Sequence, residues 1–411
     1  MGIGSKTIVL VGALDTKGPD YAFVKSEIER RGHRALVVDT SVTGQPGFAA
    51  DVSAAEVAAA GGSSLDELRA KADRGFAMEV MTRGVAVVAR RLYDDGKLDG
   101  ILALGGSAGA ALGTSAMRAL PLGVPKVMVT TVASGDTKPY VGTRDVVMFP
   151  SVVDVAGVNR ISAKIYANAV GAIVGMVETE APPVAAKPLI AATMFGNTTP
   201  AVERAKAIFE GHGYEVLVFH ATGTGGRTME DLVADGFFEG VADITTTEWA
   251  DELVGGVLTA GPTRLEAAGK AGIPQVIVPG CLDMVNFWAP ETVPEKFKDR
   301  RFYRWNPNVT LMRTTPEENA ELGRILAEKA NAARGPVAFY LPLKGVSMLD
   351  APGKEFWWPE ADAALFEAIK RHVRPDIPVH ELDANINDPA FAEAVAAGLL
   401  EFLRSRVPAA G

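Results

Sequence analysis

The chain has 411 residues, 48% hydrophobic and 22% charged, the proportions of a globular protein long enough for two domains. Its net charge of −9 argues against a general nucleic-acid or anionic-membrane surface. Its one cysteine, Cys281, excludes an intrachain disulfide and fits a reducing cytoplasm. The amino terminus shows no signal-peptide or myristoylation pattern, and the most apolar helical stretch, residues 169–177, is too short to span a bilayer.

In chain order, TIVLVG from Thr7 reads as a buried strand and ALDTKG as the loop after it. Pro19 then stands where a first helical residue belongs, because its missing N–H has no helical partner there anyway. The amphipathic helix ends at Gly32, a second apolar strand follows, and DTSVTG closes a βαβ unit. Residues 48–84 are helix-rich. DGILALGG is a strand running into GGSAGAALG, and the next buried strand runs into TTVASGDTKPY. A long helix is expected over residues 155–180, ended by the prolines of APPVAAKP at 181–188.

The second half repeats the first at an offset of 181: Pro19 aligns with Pro200, Lys25 with Lys206, Gly32 with Gly213 and Thr43-Gly44 with Thr224-Gly225. Farther on, Gly123-Val124-Pro125 aligns with Gly272-Ile273-Pro274 at an offset of 149, so the first half carries about 32 extra residues, assigned to the 48–84 segment. NVTLMRT, GPVAFYLPL and IPVHELD add strands, and a terminal helix over residues 390–407 could pack on either domain. The expected fold is α/β: two Rossmann-like domains, doubly wound with mainly parallel sheets, related by the internal repeat and spanning 1–183 and 184–411.

Ligands of open parallel sheets bind outside the carboxyl ends of the strands. That rule selects the glycine- and hydroxyl-rich loops. Gly105, Gly106, Ser107 and Gly109 are candidates to hold phosphate at a helix N-terminus, or else glycines that permit tight helix–sheet packing. The loop is neither a Walker A sequence nor a dinucleotide fingerprint. Asp15, Thr16 and Lys17 are cofactor-binding candidates, with Asp15 as a helix cap and Lys17 as a solvated lysine the alternatives. Ser134, Gly135 and Asp136 follow the adjoining strand, and Asp136 is either a Mg²⁺ ligand or a turn cap.

In the second half, Asn197, Thr198, Thr199, Thr222, Thr224 and Gly225 are candidate substrate contacts. His220, at a strand end, is either a general base or a ligand-binding or structural residue. Glu248 and Asp283 are the carboxylates that would complete an acid–base set, Glu248 having a helix-start role as its alternative. Cys281 reads as buried core rather than nucleophile. KFKDRRFYRWNPN reads as a partly exposed loop docked on its own domain rather than a nucleic-acid surface, and FWWP as packing or an oligomer contact.

Together GALDTKG, GGSAG, TTVASGDTKPYVG, SVVDVAGVNRI, TMFGNTTP, FHATGTGGRTMEDL, TTTEWADELVGG, PGCLDMVNFW and LPLKGVSMLD resemble the Tm-one-like ATP-binding family. The family is named after a tomato protein that inhibits tomato mosaic virus replication. The resemblance implies two Rossmann-like domains, ATP binding and dimers. It also implies a separate TIM-barrel partner protein for any function that needs the further domain of the plant relative. The expected function is an ATP-dependent enzyme, with Mg²⁺ and ATP on the first domain and a small metabolite in the interdomain cleft. A nucleotide-binding regulatory or docking protein is the alternative, and an ATP-independent lyase or hydrolase using His220 is the third reading.

Overall fold

The computed structural model describes residues 4–184 and 186–406. Two compact units divide between Pro183 and Val184.

The N-terminal unit runs β1 (Thr7–Gly12), α1 (Leu14–Arg30), β2 (Arg34–Asp39), α2 (Ala54–Ala60), α3 (Leu65–Lys71), α4 (Arg74–Asp94), β3 (Gly100–Gly105), α5 (Ser107–Arg118), β4 (Lys126–Thr130), α6 (Lys138–Val141), β5 (Val147–Pro150) and α7 (Ser162–Glu178). Its sheet is wholly parallel in the order β2-β1-β3-β4-β5. Strand side chains alternate between faces, so each strand serves two cores. Ile8 and Leu10 pack with Tyr21, Val24 and Ile28 of α1 and with Tyr166, Val170 and Ile173 of α7. Val9 and Val11 pack on the other face with Val57 of α2, Val80 and Val88 of α4, and Ala110 and Met117 of α5.

The C-terminal unit runs β6 (Leu189–Met194), α8 (Thr199–Gly211), β7 (Glu215–His220), α9 (Thr224–Ala234), β8 (Gly240–Thr245), α10 (Glu248–Val254), α11 (Ala267–Ala271), β9 (Gln275–Gly280), β10 (Met284–Phe287), β11 (Phe302–Asn306), β12 (Val309–Arg313), α12 (Pro316–Asn331), β13 (Val337–Pro342), α13 (Pro359–His372), β14 (Val379–Leu382) and α14 (Pro389–Arg406). Its main sheet is also parallel, in the order β14-β13-β9-β8-β6-β7. Both sheets therefore contain the same β2-β1-β3-β4 pattern, continued by two strands in the second unit. The extra helices of the first unit are α2, α3 and α4 between β2 and β3, where the second unit has α9 alone.

Three expectations change, and one left open is settled. The long helix begins only at Ser162, because Asn159 Oδ1 accepts the N–H groups of Ile161 (2.9 Å) and Ser162 (3.0 Å) and so caps the turn. NVTLMRT forms β12 of a separate antiparallel sheet, β10-β12-β11. The basic–aromatic segment before it supplies β11 rather than a loop, and its charges are used locally: Arg300 pairs with Glu318 at 2.6 Å, and Arg301 lies 5.2 Å from the Trp358 ring centroid. The terminal helix α14 packs within its own unit, through Phe391, Val395, Leu399 and Leu403. Residue Val407, placed in that helix by the sequence reading, lies outside the described residues.

Candidate functional site

In the first sheet the chain leaves β1 for β2 on one side and returns to β3 on the other, so the strand order reverses between β1 and β3. Their pairing runs from Ile8↔Gly100 to Val11↔Ala103. Beyond it a phenol separates the strands. The Tyr21 hydroxyl accepts the Leu104 N–H at 2.8 Å, and the carbonyls of Leu104 (2.9 Å) and Val11 both lie in position to accept its proton. Gly12 leaves room for the ring, since a Cβ there would stand 2.0 Å from it. Burial of Tyr21 raises its pKa, so the hydroxyl keeps its proton.

A cavity of about 910 Å³ opens at this point. Its walls are the loop after β1 (including Asp15, Thr16 and Lys17), the loop after β2 (Thr40, Val42, Thr43), the turn from β3 into α5 (Gly105, Gly106, Ser107, Gly109) and the α3–α4 corner (Arg69, Asp73, Arg74). Leu68, Ala77, Met78, Met81 and Leu112 make an apolar side, and Asp154 arrives from the loop after β5.

The glycines in this wall do different work. A Cβ on Gly105 would lie 2.8 Å from Gly109 Cα, and one on Gly109 would lie 3.2 Å from the Leu104 carbonyl, so both keep α5 tight against β3. A Cβ on Gly106 would meet nothing nearer than Thr131 Oγ1 at 3.8 Å. Gly106 is the N-cap of α5 and supplies no side-chain cap, which leaves that helix end open to the cavity.

The side chains around this helix end differ in how far they are committed. Asp15 Oδ2 accepts the Gly44 N–H at 3.0 Å and ties two loops together. Lys17 Nζ donates to the Val155 carbonyl, so it is not a solvated lysine. Arg69 Nε donates to the Val42 carbonyl at 2.6 Å, and Asp73 Oδ1 caps α4 by accepting the Phe76 N–H at 3.1 Å. Arg74 and Asp154, both exposed, make no hydrogen bond or ion pair with described residues. The Thr40 hydroxyl is buried and has no partner. A buried hydroxyl without a hydrogen bond is costly, so it marks a position where a ligand or water belongs. Asp39, where a dinucleotide fold keeps its ribose carboxylate, is spent internally: its Oδ1 accepts from Leu14 N (3.1 Å), Ser41 N (2.9 Å) and Ser41 Oγ.

Ser134, Gly135 and Asp136 stand apart from this cavity. All three are exposed, and Asp136 Oδ1 accepts the Lys138 N–H at 3.1 Å, the turn-capping role. Thr40, in the selected DTSVTG loop but not singled out, and Arg69, Asp73, Arg74 and Asp154 are further wall residues. Four of them lie in or just before the inserted segment, whose position after a β2 carboxyl end was the available signal; Asp154 lies in the quoted SVVDVAGVNRI.

In the C-terminal unit the glycine-rich helix end after β7, the counterpart of β2, is closed. Gly223 caps α9, and the N–H groups of Gly223 and Gly226 donate to Glu248 Oε1 at 2.7 and 3.1 Å. Glu248 Oε2 accepts from Arg264 Nε at 2.7 Å, and Arg264 continues to Asp243 (2.5 Å) and Glu230 (3.2 Å). Glu248 is thus taken up by internal contacts rather than free to act in a cleft. Thr222, Thr224 and Gly225 belong to the loop it ties down. A Cβ on Gly225 would stand 1.9 Å from the His220 carbonyl, so that glycine serves close packing.

Of the remaining candidates, Asn197 and Asp283 are linked through Met284 and the Ser347–Met348 turn, and each keeps a buried Oδ1 without a partner. Asn197 and Thr198 are fully buried, with Thr198 Oγ1 2.7 Å from Thr245 Oγ1, and Thr199 Oγ1 turns back to the Gly196 carbonyl at 3.3 Å. Asp283 is fully buried and accepts from the Ser347 hydroxyl at 2.8 Å. Burial, then the charge of Asp350, pushes its pKa up to about 7. His220 is exposed, with its ring 5.5 Å from that of Phe195. Cys281 is buried in a small apolar cluster. Phe356 of FWWP is buried in the same cluster. Among the described residues no three His, Cys, Asp or Glu side chains group as a metal centre, and no helix is long and apolar enough to cross a membrane.

The models of the N-terminal and C-terminal domains of uncharacterised protein family UPF0261 match residues 6–182 and 187–403. The chain belongs to this family. A UPF0261 protein of Clostridium tetani is 52% identical over 97% of this chain and 99% of its own length. One from Rhizobium meliloti is 48% identical over 95% of this chain and 98% of its own length. The ToMV resistance protein Tm-1 of Solanum lycopersicum is 45% identical over 80% of this chain, a match that spans 45% of the tomato protein. The UPF0261 chain thus shares its two-domain sequence with bacterial and plant relatives.

Proposed function

We infer that the N-terminal unit binds a nucleotide, with the phosphate chain at the open end of α5 and the base against the apolar wall. The observation that carries this reading is the cavity at the β1/β3 switch point, with an uncapped 12-residue helix, space at Gly106 and an unpartnered Thr40 hydroxyl. Its size falls within the usual range for small-molecule sites, roughly 300–1,000 Å³. Arg74 and Ser107 are the free polar side chains for phosphate contacts, and Met78 and Met81 offer polarisable contacts to a planar base. The spent Asp39 disfavours NAD. ATP, with Mg²⁺, is the nucleotide the reading names.

The reading is one of binding first. Turnover on a small metabolite would rest on positioning and charge neutralisation in this cavity. It would not rest on a His220–Glu248–Asp283 set, because Glu248 is committed to Gly223, Gly226 and Arg264, Asp283 is fully buried, and His220 is exposed.

Thermal unfolding with Mg·ATP, ADP, GTP and NAD tests it. A ligand at a hundred times its dissociation constant adds about 2.7 kcal/mol, or roughly 5–10 °C in midpoint for a domain of this size. An ATP-specific shift that Gly106→Asp abolishes is the expected result. A flat response to every nucleotide would end the reading.

A further inference from the structure

We propose that Asp154 is the carboxylate that holds a divalent cation on the phosphate chain of the ligand in the N-terminal cavity. The proposal rests on the nucleotide reading above.

Charge balance is the first argument. The ionisable side chains on the wall are Lys17, Arg69 and Arg74 against Asp15, Asp73 and Asp154, so the cavity is formally neutral. Two of the three cations are already turned to backbone carbonyls, Lys17 to Val155 and Arg69 to Val42. A nucleoside triphosphate brings about four negative charges at neutral pH, which this wall does not offset. Its counter-charge has to enter with it, and a hard divalent ion is the form in which phosphate oxygens carry one.

Elimination is the second. Asp15 is bonded to the Gly44 N–H and Asp73 to the Phe76 N–H. Asp136 lies outside the cavity and caps its own turn. Asp154 alone among the wall carboxylates is uncommitted. Mg²⁺ keeps several waters and takes one or two carboxylates besides phosphate, so a single aspartate on the wall of the same cavity suffices and no ready-made cage is required.

Placement is the third. The residues around Asp154 are tied down although its carboxylate is not. Ser151 N–H donates to the Thr130 carbonyl at 3.1 Å and Ser151 Oγ to the Val153 carbonyl at 2.7 Å. Val155 is fully buried and its carbonyl accepts from Lys17, while the Gly157 N–H donates to the buried Asp20 at 3.0 Å. Asp20 in turn accepts from the Tyr166 hydroxyl at 2.9 Å. These contacts anchor the loop to α1 and α7 and hold one free carboxylate at the cavity wall, the arrangement a preorganised ligand requires.

Calorimetric titration of the full chain with ATP, in excess Mg²⁺ and in EDTA, tests the assignment on wild type, Asp154→Asn and Asp136→Asn. Wild type should bind about tenfold or more tightly with the metal. Asp154→Asn should lose that gain yet bind metal-free ATP at least as well as wild type, because a carboxylate that repels bare phosphate is gone. Asp136→Asn should behave as wild type. Mn²⁺ substituted for Mg²⁺ gives a direct count: the free-ion electron paramagnetic resonance signal should fall with wild type plus ATP and stay higher with Asp154→Asn. A metal gain that survives in Asp154→Asn, or that is lost in Asp136→Asn instead, overturns the assignment and leaves nucleotide binding standing. Equal wild-type affinity with and without metal does the same. Absence of ATP binding in either condition removes the nucleotide reading and this assignment together.

Discussion

Glu248 Oε1 lies 2.7 Å from the backbone nitrogen of Gly223 and closes the N-terminus of α9 from within. The protein thereby places its own carboxylate at one glycine-rich helix end and leaves the other, at Gly106, facing a cavity. Both helix starts are rich in glycine, although the repeat pairs the α9 loop with the loop after β2. One is satisfied and the other is open.

Glu248→Ala should cost about 3 kcal/mol or more in urea unfolding, since Arg264 loses a buried partner and two N–H groups lose their acceptor. It also vacates an anion position. Sulfate should therefore raise the midpoint of the variant more than that of wild type. A loss below about 1 kcal/mol without any sulfate preference would mean that the contact is incidental.

Tyr21→Phe removes the hydroxyl between β1 and β3 and leaves the Leu104 N–H and two carbonyls without it. The expected loss is about 1–3 kcal/mol, measured by denaturant titration. ATP affinity should fall as well, because the same hydroxyl holds the switch point apart. Unchanged affinity in a destabilised variant would separate the phenol from the site.

Gly105→Ala and Gly106→Ala form a matched pair. The first drives a methyl to within 2.8 Å of Gly109 and should lower the unfolding midpoint. The second places its methyl 3.8 Å from the nearest atom and should fold as wild type while weakening the ATP-induced shift. The reverse pattern in differential scanning fluorimetry would contradict the division of labour between these glycines.

Asp283 supplies a pH signature. Its carboxyl is raised from 3.8 to about 7 by burial and by Asp350. Between those values the folded state holds a proton that the unfolded chain releases, so this group lowers stability as pH rises through that window. Asp283→Asn removes the penalty. The variant should be more stable than wild type above pH 7 and lose that advantage below about pH 4, read from unfolding midpoints across pH.

Much of the architecture was legible in the chain. Continuous apolar runs at Ile8–Val11 and Ile101–Leu104 announce strands buried on both faces; Pro200 marks the start of α8 and Gly32 and Gly213 the ends of the repeated helices, whereas Pro19, expected at a helix start, lies inside α1, which begins at Leu14 and kinks at Lys17. Periodicity and turn chemistry act over a few residues, so a single sequence carries them. The helix start at Ser162 was missed because the apolar content of residues 155–161 resembles helix, while the cap that stops it is one asparagine.

The site divides in the same way. Asp15, Thr16, Lys17, Gly105, Gly106, Ser107 and Gly109 could be proposed because strand-end loops have a local signature, and the structure gathers them on one wall. The roles of Asp154, Arg74 and Thr40 could not, because being unpartnered is a property of everything packed around a side chain. Two parallel α/β units, their repeat and the loops at their strand ends follow from local pattern. That Glu248 fills one helix end while another opens into a cavity depends on groups 22 to 25 residues apart meeting in space, which no local pattern encodes.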